Sequence, residues 1–318
     1  MKLIAGQRVL CKLTHLGPSM DKLPLANIRR LYDLYDSLFG IPRDKSVQTR
    51  DISVPNGSHM IPIRIYRPQG VVSLSMVYFH GGGYVVGSLA SHDNFCRKLA
   101  SQTQMNIIAV DYRLAPENKY PAALDDSLVA WNWIVDNAES LHLGSGEIGV
   151  GGDSAGGNIA AILAMQLFST SLPGRALSAT PAFQFLLYPL VDFRYQSESF
   201  QRYGKGLLLT EPLAHFFHEC YLGGIKPFEI ESIGSAYMEN IGKAPNTIIV
   251  TAEYDVLRDE GLDLVEKLQQ AKVPVSHLHL DDCTHGFIAL AKFSRATRYR
   301  LAEIFDMLAK YAASKVRG

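Results

Sequence analysis

The chain has 318 residues, 47% of them hydrophobic and 19% charged, a globular balance that excludes a disordered or fibrous protein. Lys+Arg and Asp+Glu both number 31, so the net charge is +0, and neither nucleic acid nor an anionic membrane surface is expected as the main partner. This length suits one large α/β domain with an insertion, or two domains. Cys11, Cys96, Cys220 and Cys283 show no C-x-x-C spacing and read as free thiols in a reducing compartment. Arg8 and Lys12 interrupt the first apolar run, which makes it a poor signal peptide, and no segment is long and apolar enough to span a bilayer. The expectation is a soluble, cytoplasmic protein.

Residues 1 to about 45 read as partly helical. Ile28, Leu31, Tyr32, Tyr35 and Leu38 recur at helical spacing, and Gly40-Ile41-Pro42 stops the run. Ile61, Ile63 and Ile65 then alternate within Ile61 to Arg67, the mark of a half-buried strand. A short apolar run, Met76 to Phe79, ends in His80-Gly81-Gly82-Gly83. Beyond it, helix and strand signals alternate. Helices are predicted over Asp93 to Ala100, about Pro121 to Asn137, Ile159 to Leu167, about Glu260 to Ala271 and about Ala296 to Tyr311. Strands are predicted over Asn106 to Val110, Ile148 to Val150, Phe183 to Leu187, Thr247 to Thr251 and Val275 to Leu280. Repeated βα units imply a mostly parallel sheet covered on both faces, with the early alternating strands as an antiparallel edge.

Residues from Val191 to about Pro245 break this alternation. The stretch is too long for a structureless loop, so it reads as an inserted structure. It holds one helix-like run in which Leu213, Phe216, Phe217, Cys220 and Tyr221 share a face, with Thr210 as N-cap and Pro212 in the first turn. With the N-terminal helix it would form a lid. The expected organisation is a cap segment over residues 1–45 and a catalytic domain over 46–318 that carries a cap insertion at about 191–245.

The lid would lie over Gly151-Gly152-Asp153-Ser154-Ala155-Gly156-Gly157-Asn158. A strand leads into this stretch and a helix leads out, with Gly152-x-Ser154-x-Gly156 between them, the strand-to-helix turn known as a nucleophile elbow. The serine sits on a sharp bend that projects its hydroxyl, and its neighbours must be small for strand and helix to pack around it. The N–H of Ala155, at the helix start, is free to meet a developing negative charge. His80-Gly81-Gly82-Gly83 supplies further N–H donors after its own strand, so this glycine run and the Ala155 N–H form the candidate oxyanion hole.

A serine hydroxyl needs a base and a group to orient that base. In elbow enzymes the chain order is serine, acid, histidine. His215, His218, His277, His279 and His285 all follow Ser154, but His285 lies just past the last strand, at the sheet end where such sites form. Asp255 follows the preceding strand in the same way and is the candidate acid. Asp259 is its rival and reads better as a charge at the start of the next helix.

These pieces resemble the bacterial hormone-sensitive-lipase-like branch of the α/β-hydrolases. The resemblance rests on His80-Gly81-Gly82-Gly83 through Ser88, Asp111-Tyr112-Arg113-Leu114-Ala115-Pro116-Glu117, Gly152 to Asn158, Asp255 to Gly261, and His285-Gly286-Phe287, in family order over about residues 75 to 290. It implies Ser154 as nucleophile, His285 as base, Asp255 as acid, Gly82, Gly83 and Ala155 as oxyanion donors, a cap from the two lid segments, and a possible homodimer. The stretch Lys226 to Tyr237 departs from the family pattern and leaves the pocket floor open, and the motif assigns no role to Cys283. Two residues from His285, Cys283 is expected near the site, where a bulky thiol reagent would block the base unless the thiol is buried and inert.

Weaker signals receive ordinary readings. Leu124, Leu128, Trp131 and Val135 have helical spacing, so Trp131 is core. The pair His215 and His218, and the pair His277 and His279, match no metal motif, and no metal or cofactor is assigned. Arg113 and Glu117 are expected to pair, Pro116 to fix a turn, and Asp153 to serve structure. The expected function is hydrolysis of short to medium acyl esters through an acyl-enzyme. Amide, lactone or carbamate hydrolysis could use the same residues. A non-catalytic small-molecule receptor is disfavoured because His285 is present.

Overall fold

The computed structural model describes every residue except 1, 17–19, 71, 73, 145, 168–171, 227–240 and 317–318, and also leaves out the side chains of 35–37 and 316. Eight strands form one sheet: β1 (Gln48–Asn56), β2 (His59–Arg67), β3 (Ser75–Phe79), β4 (Asn106–Val110), β5 (Ile148–Asp153), β6 (Phe183–Leu187), β7 (Asn246–Tyr254) and β8 (Val275–Thr284). Their order across the sheet is β1-β2-β4-β3-β5-β6-β7-β8. The β1–β2 and β2–β4 pairs are antiparallel, and all other neighbours are parallel. β3, β4 and β6 are buried along their whole length, as continuous apolar runs in a doubly covered sheet should be.

The α-helices among the described residues are α1 (Ala5–Thr14), α2 (Leu25–Phe39), α3 (Asp93–Thr103), α4 (Ala122–Asp136), α5 (Ala155–Met165), α6 (Glu198–Tyr203), α7 (Glu211–Leu222), α8 (Arg258–Gln270) and α9 (Arg295–Val316). Strand periodicity divides the core. Val77 and Phe79 face one layer, with Leu128 and Trp131 of α4, Ile159 of α5 and Leu264 of α8. Met76 and Tyr78 face the other, with Leu99 of α3 and Leu301, Ile304, Phe305 and Leu308 of α9. Trp131 is fully buried and its indole N–H donates to the Ala179 carbonyl at 2.9 Å, a core role.

From β3 the chain steps to β4 on one side, then returns past β3 to β5 and continues to β6 on the other. This reversal opens a crevice at the C-terminal ends of β3 and β5, where ligands of open α/β sheets bind. The His80 glycine run leaves β3 there and Ser154 leaves β5 there.

The structure adds to or corrects several expectations. β1 has no apolar period to betray it; most of its residues are exposed, and it forms the sheet edge opposite β2. The insertion contains α6 as well as α7. Thr210 takes the extended N-cap backbone of α7, but its side chain makes no capping hydrogen bond. Most of the stretch Lys226 to Tyr237 lies outside the described residues. Arg113 does not pair with Glu117. The buried carboxylate of Asp126 takes the Arg113 N–H and Nε at 2.9 Å each, while Glu117 receives Arg29 of α2 at 2.7 and 2.8 Å. A buried acid in need of donors outcompetes an exposed one.

Candidate active site

Ser154 sits between β5 and α5 with φ +53° and ψ −119°, a conformation that costs energy for any residue with a Cβ. Its surroundings impose the bend. Its N–H donates to Leu187 of β6 at 2.9 Å, and its carbonyl accepts from Leu190 at 3.0 Å and Asn158 at 3.1 Å. A Cβ on Gly156 would fall on the Phe79 carbonyl at the end of β3, and one on Gly152 would meet the Gly156 backbone. Both positions therefore require glycine. α5 starts at Ala155, so the Ala155 N–H is among the donors that the helix leaves unpaired.

β7 and β8 deliver the other two side chains. Asp255 leaves the end of β7 and His285 follows β8 directly; both are buried. Asp255 Oδ1 accepts the Leu257 N–H at 2.8 Å, and Oδ2 lies 2.7 Å from His285 Nδ1. A carboxylate only accepts, so Nδ1 carries the proton and Nε2 is left bare. Ser154 Oγ lies 2.9 Å from Nε2 and donates to it. The Tyr188 ring packs on His285 with centroids 4.7 Å apart and restricts its tilt.

The alternative residues are engaged elsewhere. Asp259, in the first turn of α8, accepts from Ser199 N–H at 2.7 Å and Arg258 Nε at 2.8 Å. His277 and His279 both bond Thr251 Oγ1, at 2.9 and 2.8 Å, and His279 Nε2 lies 3.2 Å from Glu253. His215 packs edge-on against Tyr195 and Phe200, and His218 against Phe193. Among the described residues no group of three or more His, Cys, Asp or Glu could hold a metal ion.

The glycine run is held from below. Asp153 Oδ1 accepts from the Gly81 N–H at 2.9 Å and the Tyr78 hydroxyl at 2.8 Å, and lies 3.3 Å from His92 Nε2. Burial would raise this carboxyl, but His92 and these hydrogen bonds outweigh it and hold it below the usual carboxylate range. His80 Nδ1 donates to the Gly81 carbonyl at 2.8 Å and its ring stacks on Tyr112 at 4.4 Å. Burial pushes its pKa down to about 3, so it stays neutral. Gly82 has φ +120° and backs onto the Val86 carbonyl, and Gly83 has φ +60° and lies under the Phe217 ring of α7. Neither position accommodates a Cβ. The sequence gives no sign of Tyr78, His92 or Tyr188 as supports, because each acts across the fold from a buried position.

Gly82, Gly83, Ser154, Ala155 and His285 line one cavity of about 630 Å³. Its walls are apolar. Tyr32 and Leu23 come from the N-terminal segment, Leu208, Leu213 and Phe217 from the insertion, and the partly exposed Leu31, Leu34 and Leu38 of α2 line it as well. The N-terminal segment and the insertion thus both line the cavity that holds Ser154. A hydroxyl aimed at a bare imidazole nitrogen, with backbone donors beside it in an apolar chamber, can attack a carbonyl carbon and stabilise the oxyanion that forms. Cys283 is buried, with Gln7 Nε2 3.6 Å from its sulfur, and burial pushes its thiol pKa far up.

Residues 76–289 match a family model for the α/β-hydrolase fold. Over 276 residues the chain is 36% identical to ethyl acetate hydrolase of Pseudomonas putida, covering 84% of this chain and 82% of that protein. It is 36% identical over 267 residues to the carboxylic ester hydrolase LipN of Mycobacterium tuberculosis, covering 82% and 70%. An α/β-hydrolase from the metagenome of Lake Arreo, Spain, superposes with a TM-score of 0.89 at 29% identity, covering 97% of this chain and 98% of its own. No helix among the described residues is long and apolar enough to cross a membrane.

Proposed function

The chain belongs to the α/β-hydrolase family, in its hormone-sensitive-lipase-like branch, and from that premise we propose that it hydrolyses short to medium acyl esters with Ser154 as nucleophile, His285 as base and Asp255 as acid. The observation that carries this reading is the unbroken hydrogen-bond chain from Asp255 through His285 to Ser154, on the wall of an apolar cavity. Ser154 Oγ attacks the ester carbonyl as His285 Nε2 takes its proton. The N–H groups of Gly82, Gly83 and Ala155 receive the oxyanion. His285 then protonates the leaving alkoxide, the alcohol departs, and a water activated by the same imidazole releases the acid from Ser154. Asp255 accepts from Nδ1 and holds the imidazolium. Residues 1–45 and about 191–245 act as the cap that closes the chamber.

The apolar walls support the acyl preference. Each CH₂ buried in them contributes about 0.8 kcal/mol, roughly fourfold in binding, until the chain outgrows the chamber. On a series of p-nitrophenyl esters, kcat/KM is expected to rise from acetate, peak at short to medium length and then fall. Ser154→Ala should remain folded but lose turnover and labelling by organophosphates. Labelling that persists in this variant would place the nucleophile elsewhere. A maximum on long-chain emulsions would overturn the substrate reading alone.

A further inference from the structure

The turn that carries Asp255 is gripped from outside the sheet. α6, in the insertion, lies against the segment from Glu253 to Glu260. Ser199, at the start of α6, is fully buried. Its hydroxyl donates to the Val256 carbonyl at 2.9 Å and accepts the Asp259 N–H at 3.2 Å. Its own N–H donates to Asp259 Oδ2 at 2.7 Å. Ser197 Oγ lies 3.2 Å from the same hydroxyl. At the other end of α6 the Tyr203 hydroxyl donates to Glu253 at 2.8 Å, and Arg258 bonds Glu253 at 2.7 Å and Tyr203 at 3.3 Å. At the stem of the insertion Glu260 Oε1 accepts the N–H groups of Val191 at 2.8 Å and Asp192 at 3.3 Å.

Asp255 therefore sits inside a bracket. The residue after it and the residue four on are tied to a single serine, and that serine belongs to the insertion. Within the turn, Asp255 Oδ1 holds the Leu257 N–H, so any shift of the 256–259 backbone pulls on the same carboxylate that Oδ2 presents to His285. We propose that Ser199 is a positioning residue for the reaction, one that fixes the acid turn so that Asp255 Oδ2 stays at hydrogen-bond distance from His285 Nδ1. This rests on the reading of Ser154, His285 and Asp255 given above. The insertion that carries Ser199 also supplies Leu208, Leu213 and Phe217 to the cavity wall. Seating that wall and setting the acid are then one event.

Removing the hydroxyl leaves the Val256 carbonyl and the Asp259 N–H without that partner, and the turn relaxes. A catalytic group displaced by about 1 Å can lose about 10²-fold in rate. Ser199 does not line the cavity, so substrate binding should be spared. The test is Ser199→Ala assayed alone and in an Asp255→Asn background, with thermal unfolding recorded beside it. Alone, kcat should fall roughly 10- to 100-fold with KM within about twofold. On Asp255→Asn the same change should cost less than about twofold, because a residue that acts through Asp255 has nothing left to position. Wild-type kcat in Ser199→Ala overturns the proposal, and so does an equal loss in both backgrounds. If Ser199→Ala does not fold, Asp259→Ala removes the acceptor of the Ser199 N–H from the other side and must show the same split and the same non-additivity. Wild-type turnover in Asp255→Asn itself would instead sink the underlying assignment of the acid.

Discussion

Asp255→Asn exchanges one oxygen for an NH₂ group and keeps the shape, and the structure shows why it should be severe. Both oxygens of Asp255 accept from fixed donors, Oδ1 from the Leu257 N–H and Oδ2 from His285 Nδ1. An amide offers one acceptor and one donor group. If its oxygen keeps Leu257, its NH₂ faces Nδ1, which must then accept. The imidazole proton moves to Nε2, and the base can no longer take the Ser154 proton. If the amide turns over, His285 keeps its tautomer, but two N–H groups collide at Leu257 and the acid turn is pushed apart. The first arrangement reproduces the wrong-tautomer failure known for serine proteases, worth up to ~10⁴ in kcat, or about 5.4 kcal/mol of barrier. Asp259→Asn is the matched control. It keeps an oxygen for the Ser199 N–H but gives up the hydrogen bond from Arg258 Nε, along with the charge beside the start of α8, which is worth roughly 0.3–1 kcal/mol of stability. Initial rates on a chromogenic ester and thermal unfolding of both variants decide the matter. Turnover lost in Asp259→Asn and kept in Asp255→Asn would refute the reasoning, while Ser154 and His285 could keep their roles.

Two further outcomes follow from buried groups. Cys283 is close to His285 in sequence but sealed behind Gln7 with its thiol pKa raised, so a maleimide should modify it slowly in the folded enzyme and quickly after unfolding; rapid labelling with loss of activity, abolished by Cys283→Ser, would contradict that burial. Burial would raise Asp126, but hydrogen bonds from Arg113, Asn56 and His59 outweigh it and hold its pKa below the ordinary value, so its stabilisation is present above about pH 3.9 and is lost as pH falls through the lower folded value. Asp126→Asn should lower the urea midpoint at pH 7 and flatten its decline below about pH 4; equal declines in both proteins would count against this role.

What could be read from the chain was what local chemistry enforces. The elbow glycines are fixed by contacts between adjacent backbone segments, and buried parallel strands such as Phe183–Leu187 must be apolar throughout, so both leave marks in a short window. The placing of His285 beside Ser154 was legible because His285 directly follows a strand end. The edge strand β1 was not, since a strand that faces water on most of its length needs no apolar period. α6 is only six residues long and is fastened by polar contacts to the acid turn, which leaves it without an apolar stripe of useful length. The pairing of Arg113 depended on which acid the fold would bury, a fact that spacing along the chain does not contain.

The polar fasteners have a common logic that only the folded chain exposes. The N-terminal helix α2 holds the loop after Gly82 and Gly83: Arg29 donates to the Val85 carbonyl at 2.9 Å, and Asp33 accepts from Ser88 at 2.7 Å. The insertion holds the acid turn through Ser199 and Tyr203, and rests Phe217 on Gly83. The N-terminal segment is therefore fastened to the loop after Gly83 and the insertion to the Asp255 turn, and the two segments meet across the cavity. Displacing either segment must break hydrogen bonds to the loop after Gly83 or to the Asp255 turn. An apolar contact could slide by a fraction of an ångström at little cost, whereas these directional bonds weaken steeply with angle. Under the proposed function, a cap built this way would enclose substrates of varied shape through its leucines and aromatics while keeping the Gly82, Gly83 and Ala155 N–H groups, His285 and Asp255 in one register.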